Sequence, residues 1–193
     1  GNRRQYEFQN AEKADLVGVE AEFRKSLGFL SASAGWLERL YFNGNASVIF
    51  SKVTLGNTDA SGNKLPATNR PLQGQSPYLV NAGLQYDAEK GTNISILYNR
   101  IGQRLSLVGN TQFSDIYEKP RDLVDFQISQ KVFNKKGEVR LTVSDILNQK
   151  VMTYQNKNSA KAYNAGTDIL FTSYTPGTTF TIGFNYNLDM KKK

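Results

Sequence analysis

The sequence predicts an all-β fold, an antiparallel transmembrane β-barrel segment. Three observations predict it. Apolar and polar residues alternate with a period of two along most of the chain, and helical periodicity is nearly absent. Several alternating runs reach about nine residues or more, the length a tilted strand needs to cross a bilayer, where soluble strands average about five or six. The runs are joined alternately by compact turns and by long polar connections, the pattern of a barrel with short turns at one end and long loops at the other.

Seven strands are read in order. The first runs Leu16 to Arg24, with Val17, Val19, Ala21 and Phe23 on one face and Gly18, Glu20, Glu22 and Arg24 on the other. The second runs Leu40 to Val53 and sets Leu40, Phe42, Ala46, Val48 and Phe50 against Tyr41, Asn43, Asn45, Ser47 and Ser51. The third is Tyr78 to Asp87, with Val80, Ala82, Leu84 and Tyr86 facing one way. The fourth is Thr92 to Asn99, with Ile94, Ile96 and Tyr98. The fifth, Asp122 to Val132, carries Val124, Phe126, Ile128 and Val132. The sixth, Val139 to Ser144, carries Val139, Leu141 and Val143. The seventh, Thr178 to Leu188, carries Phe180, Ile182, Phe184, Tyr186 and Leu188. The apolar face reads as free of charge, and the other face holds Glu, Asp, Lys, Arg and many Asn.

In a membrane this predicts lipid contact for Val17, Val19, Phe23, Val48, Phe50, Val80, Leu84, Ile94, Ile96, Phe126, Ile128, Phe180 and Phe184. Phe23, Tyr78, Tyr86, Tyr98 and Tyr186 lie near strand ends on that face, where an interfacial aromatic girdle is expected. Residues 87–91 and 133–138 read as tight turns, and 54–77, 100–121 and 145–177 as long loops. The connection Lys25–Arg39 breaks the alternation and is read as strand extensions plus a compact turn.

Composition narrows the function. The 193-residue chain is 39% hydrophobic and lacks a continuous apolar run long enough for a membrane-spanning helix. It has no Cys and no His, which removes thiol nucleophiles, His bases and the common zinc ligands. The net charge of +7 is dispersed except at Lys191-Lys192-Lys193, and no RNA-binding aromatic motif accompanies it, so no nucleic-acid partner is expected. The glycines between Gly56 and Lys64 lack phosphate-loop spacing. The sequons at Asn45 and Asn93 fall inside strands. Glu20 and Glu22 form a carboxylate pair on one strand face, but a hydrated wall balanced by Arg24 explains them. No enzyme, cofactor or metal site is expected.

The residues also carry a family resemblance. Leu16–Arg24 (LVGVEAEFR) resembles the Gly-x-Glu-x-Glu strand found late in TonB-dependent receptor barrels. Arg70–Leu84 (RPLQGQSPYLVNAGL) is similar to a loop-to-strand signature of the same receptors, in their Bacteroidota-type branch. It is the most specific of the matches. Tyr98–Gly102 (YNRIG) and Val143–Asn148 (VSDILN) resemble two later signatures. In the last strand Thr181, Gly183, Tyr186 and Leu188 match the signal read by the barrel-assembly machinery. The family often ends on an aromatic residue, whereas Asp189–Lys193 follows here.

The resemblance implies a bacterial outer-membrane receptor of roughly 22 strands around a plug domain, of which this chain is about the last seven. Residues 1–15 then end a preceding strand and an extracellular loop, 16–188 are the C-terminal barrel strands and loops, and 189–193 are a basic tail. It further implies active nutrient uptake, of a siderophore, glycan or similar compound, energised by TonB–ExbB–ExbD. The expected partners are the rest of the receptor, outer-membrane lipid and the assembly machinery. Two alternatives remain open at this point: a small stand-alone outer-membrane barrel with a structural or adhesive role, and a soluble β-sandwich binding module. Loop tyrosines Tyr117, Tyr154, Tyr163 and Tyr174 are candidates to touch a ligand, and no binding site is assigned.

Overall fold

The computed structural model describes residues 10–31, 33–58, 62, 69–110, 113–157 and 162–188. The expectations for residues 1–9 and for the basic tail 189–193 lie outside the described residues.

The described residues form twelve strands: β1 (Lys13–Ser26), β2 (Leu40–Thr54), β3 (Asn69–Arg70), β4 (Tyr78–Asp87), β5 (Thr92–Ile101), β6 (Arg104–Leu107), β7 (Ile116–Glu118), β8 (Arg121–Val132), β9 (Gly137–Ser144), β10 (Val151–Gln155), β11 (Ile169–Tyr174) and β12 (Thr179–Tyr186). Seven of them form one antiparallel wall in the order β1-β2-β4-β5-β8-β9-β12, with β3 adding a short pair to β2. These are the seven strands read from the sequence, and each pairs with its successor. Such next-neighbour pairing follows from connections that never cross.

The register decides the faces. Directly opposed residues share a face in an antiparallel ladder. Val19 opposes Val48, Ala46 opposes Val80, Leu84 opposes Ile96, Ile96 opposes Phe126, Phe126 opposes Val143, and Val143 opposes Phe180. The alternation therefore stays in phase across all seven strands and collects the apolar residues on one side. Among the described residues no second sheet covers that side: Val19 is 77% and Ile182 79% exposed. A β-sandwich would bury these side chains in a dry core, so that reading is excluded.

The same register makes the connections after β2, β5 and β9 leave from one end of the wall and those after β1, β4 and β8 from the other. Two of those turns are tight, as expected. The β8–β9 turn holds Phe133, Asn134 and Lys135 all at positive φ, between 51° and 69°. The third connection differs from expectation. β1 extends to Ser26, but the remainder is two single-turn 3₁₀ segments, Leu27–Leu30 and Gly35–Arg39, the first capped by the Ser26 hydroxyl accepting from Gly28 N–H.

The long connections are not simple loops. β11-β10-β7-β6 form a second antiparallel sheet. Each of its strands adjoins a wall strand in sequence: β6 follows β5, β7 precedes β8, β10 follows β9 and β11 precedes β12. Its order repeats the wall order β12-β9-β8-β5. The last four wall strands thus continue past a short break into a loop sheet.

Candidate functional site

Three features can meet a partner: the polar face of the wall, the rims of its apolar face, and the loop sheet.

On the polar face a row of side-chain hydrogen bonds crosses four strands. Asn99 Nδ2 donates to Asn81 Oδ1 at 2.7 Å, Asn81 Nδ2 to Asn45 Oδ1 at 3.3 Å, and Asn45 Nδ2 to Glu20 Oε1. Glu20 is therefore a hydrogen-bond acceptor in a wall ladder. Arg24 stacks over the Tyr41 ring at 4.8 Å rather than neutralising the glutamates. Near the turn end the face holds an open depression of about 400 Å³, lined by Asp87, Asn93, Gln127, Ser129, Lys131 and Arg140. Such a lining suits water or polar chain, not an apolar ligand. Among the described residues no cluster of His, Cys, Asp and Glu has the arrangement of a metal site.

The apolar face is not free of charge throughout. Lys52 and Asp122, within the strands read from sequence, fall on it, as do Asp15, Lys25 and Arg100 of the longer observed strands. All sit at the ends of the apolar belt. Alternation there continues past the residues that face the belt proper, and a charged side chain at a rim can reach water. Arg100 Nη1 donates to Asp122 Oδ1 at 2.6 Å, Tyr98 Oη donates to the same oxygen at 2.7 Å, and Arg100 Nε donates to Tyr78 Oη at 3.3 Å. At ~3.3 Å per residue and a tilt of ~40°, the belt between Thr92 and Arg100 or between Asp15 and Lys25 spans roughly 20–25 Å. The turn-end rim carries aromatic pairs, Phe23 with Phe42 at 5.3 Å and Phe133 with Phe184 and Tyr186 at 6.3 and 6.0 Å. Phe23 lies directly over Gly44, and a Cβ added there would push its ring aside.

The loop sheet has the chain's small buried core. Leu105 opposes Tyr117, and Tyr117 opposes Tyr154. Tyr154 is fully buried, with Tyr163 packed edge-on against it at 5.0 Å. Burial pushes the phenols of Tyr154 and Tyr117 above their ordinary value. Three of the four candidate ligand tyrosines therefore build the loop core, and only Tyr174 is exposed. Polar groups pin the same region. Arg70, its side chain 4% exposed, pairs with Asp115 and donates to the Gly109 carbonyl at 3.1 Å. Arg104 forms a two-point pair with Glu118, at 2.9 and 3.1 Å. Asp168 accepts from the backbone N–H groups of Lys157 and Asn164 at 2.9 and 2.8 Å. The Arg70–Leu84 signature thus folds as an anchor: Arg70 ties the loops together, and Ser76 Oγ donates to the Tyr78 carbonyl where β4 begins.

Of the residues matched to an assembly signal, Thr181 and Gly183 lie on the polar face and Tyr186 on the apolar face. A Cβ added at Gly183 would meet open space among the described residues.

An open amphipathic wall with a belt about as tall as a thin membrane and a folded loop end is the architecture of an outer-membrane barrel. The family comparison agrees: residues 2–187 match the outer membrane protein beta-barrel family. The chain belongs to that family. It is accordingly an all-β protein of the bacterial outer membrane. Comparison with curated proteins and with solved structures gave no match.

Sequence reasoning missed the Arg100–Asp122–Tyr98–Tyr78 rim and the loop strands. Asp122 opens the fifth strand read from sequence, but Arg100 falls just past the fourth, Thr92–Asn99, in the segment read as a loop, so the pair was not brought together. The loop strands had only three to six residues each, too few for a period to show.

Proposed function

We propose that this chain is the C-terminal wall and surface-loop portion of a TonB-dependent outer-membrane receptor that takes up a scarce nutrient, with TonB–ExbB–ExbD supplying energy from the inner membrane. The thirteen apolar residues named above face lipid. The polar ladder faces a hydrated lumen. The chain itself performs no chemistry and contributes wall, loops and, through Thr181, Gly183, Tyr186 and Leu188, the assembly signal.

One observation carries the reading. β1 and β12, the two edges of the wall, both run from the loop end to the turn end. Pairing them would be parallel, so these seven strands alone cannot close an antiparallel barrel. An open edge in hydrocarbon leaves N–H and C=O groups unpaired at several kcal/mol each. Both edges therefore need strands from elsewhere, which fits a large barrel. The four sequence signatures of the receptor family, in order along this same wall, support the narrower identity.

The test is uptake. Cells expressing the intact protein should accumulate its nutrient only when TonB is present and the inner membrane is energised. Accumulation that persists without TonB, or an intact protein that behaves as a self-contained small barrel on a heat-modifiability gel, would overturn the proposal.

A further inference from the structure

Among the described strands the wall ends at β12 and the loop sheet ends at β11. β11 leads into β12 through only four residues, Thr175–Thr178. The two sheets share one strand order, so β10 stands beyond β9 as β11 stands beyond β12, and among the described strands β11 and β12 each have a neighbour on one side, the same side in both sheets. Whatever strand pairs with β12 arrives from the turn end, because β12 runs toward it, and leaves the wall at the level where β11 begins.

The packing of the loop sheet points to the same neighbour. Leu105, Tyr117, Tyr154 and Leu170 form one cross-strand row. The first three are 1%, 6% and 0% exposed, whereas Leu170 is 49% exposed. Leu170 has the same face and the same kind of side chain as the buried members. It lies on the edge strand β11; Leu105, on the opposite edge strand β6, already has a neighbour there, since Gly74 N–H donates to the Leu105 carbonyl at 2.8 Å. A further strand beside β11 would extend the buried row by one position and cover Leu170.

We infer that the strand pairing with β12 does not stop at the loop-end rim but continues outward and pairs with β11, so that one upward strand seals both edges. The occupant is a strand of the same barrel, antiparallel to the segment Ile169–Tyr186 and about as long as its 18 residues. Its lower half carries apolar residues on alternate positions to match Phe180, Ile182 and Phe184, and its upper half places an apolar residue beside Leu170. The loop sheet is then a closed extension of the barrel wall, not a free flap. The inference rests on the barrel-wall reading above, since β12 must have a partner before that partner can extend.

Hydrogen–deuterium exchange on the intact protein in lipid nanodiscs, resolved to single residues, tests both claims separately. The reference is β8, which is paired on both sides. The alternate amides of β12 that point away from β9, and those of β11 that point away from β10, should be as protected as the amides of β8. Protection of β12 with loop-like exchange in β11 overturns the extension and leaves the wall reading intact. Rapid exchange at both edges overturns both. Protection of β11 that appears only in a dimeric fraction assigns the edge to a second copy and also overturns the inference. A Leu170→Cys variant gives an independent readout, because this chain has no cysteine of its own. A membrane-impermeant maleimide on intact cells should label it far more slowly than Gly166→Cys. Equal labelling, with β11 exposed as in this chain, counts against the neighbour.

Discussion

Arginine placed at Ile96 and at Ser95 separates a membrane wall from any water-exposed sheet. The two positions are adjacent in β5 and take opposite faces. Ile96 opposes Leu84 and Phe126 on the apolar side, and Ser95 opposes Gln85 and Gln127 on the polar side. Ile96 lies midway between the rim residues Thr92 and Arg100, so its side chain sits near the centre of the belt. An Arg at the bilayer midplane costs a barrel about 2–4 kcal/mol, which is roughly a 30- to 1000-fold change in the folding equilibrium. Ser95→Arg places the same charge in a hydrated lumen, where a surface-like substitution changes stability by about 0.5 kcal/mol or less. β5 has a neighbour on each side, so edge effects do not enter. The assay is a denaturant titration of the intact protein in lipid vesicles, with the folded fraction read from heat-modifiable mobility. Ile96→Arg should lower the unfolding free energy by about 2–4 kcal/mol relative to Ser95→Arg. Equal effects, or a larger cost at Ser95, would refute the facing argument. Ile96 is open to its surroundings here, so only lipid makes the two positions unequal.

Three further outcomes follow from the same geometry. Tyr154→Ala removes the one ring buried completely in the loop sheet, and aromatic truncations of this kind cost about 3–5 kcal/mol, so protease on intact cells should cut within 145–177 while the wall remains folded. Alkaline titration of absorbance should show Tyr117 and Tyr154 ionising later than the exposed tyrosines. Their folded values lie above the ordinary tyrosine value of about 10, so the unfolded chain loses these protons first and the loop sheet loses stability as pH rises above that value. Tyr186→Asp sets a charge beside Phe133 and Phe184 on the apolar face and should lower the outer-membrane level of the intact protein, measured by fractionation and blotting.

All seven wall strands were legible in the sequence because all are two-faced and most are long. A run such as Leu40–Thr54 repeats its alternation often enough that no helical or irregular reading competes. Orientation was legible too, since the tight turns and long connections alternate. The loop sheet was not, and the reason is length. Ile116–Glu118 holds one and a half periods, and its strand character comes from pairing with β6 and β10, which only the folded chain reveals. The loop tyrosines show a related limit. Tyr117, Tyr154 and Tyr163 read as exposed because loops usually are, and the second sheet buries them or half-buries them. Lys52 and Asp122 were set aside from the apolar face although their positions by alternation put them there, because the rim had no marker in the sequence until Arg100 was found paired to Asp122.

The distribution of burial says where the folding free energy of this wall must come from. Among the described residues only Val53, Leu105, Tyr117 and Tyr154 are buried hydrophobic side chains, and three of them belong to the loop sheet. A chain of this length pays about 1–2 kcal/mol per residue in backbone entropy alone, far more than so small a core offsets. Backbone pairing does not close the gap, since each hydrogen bond exchanged from water contributes only about 0.5–1.5 kcal/mol net. The missing burial is present in the sequence, turned outward: Val17, Val19, Phe50, Phe180, Ile182 and Phe184 are large, apolar and exposed. In lipid those side chains leave water without any second protein layer, and the backbone between them cannot exchange its hydrogen bonds for water. Lipid on that face, together with the strands proposed to pair at β1 and β12, takes the place of the core a soluble domain of this size would build, so the alternation that sets the register also ties the wall to a membrane.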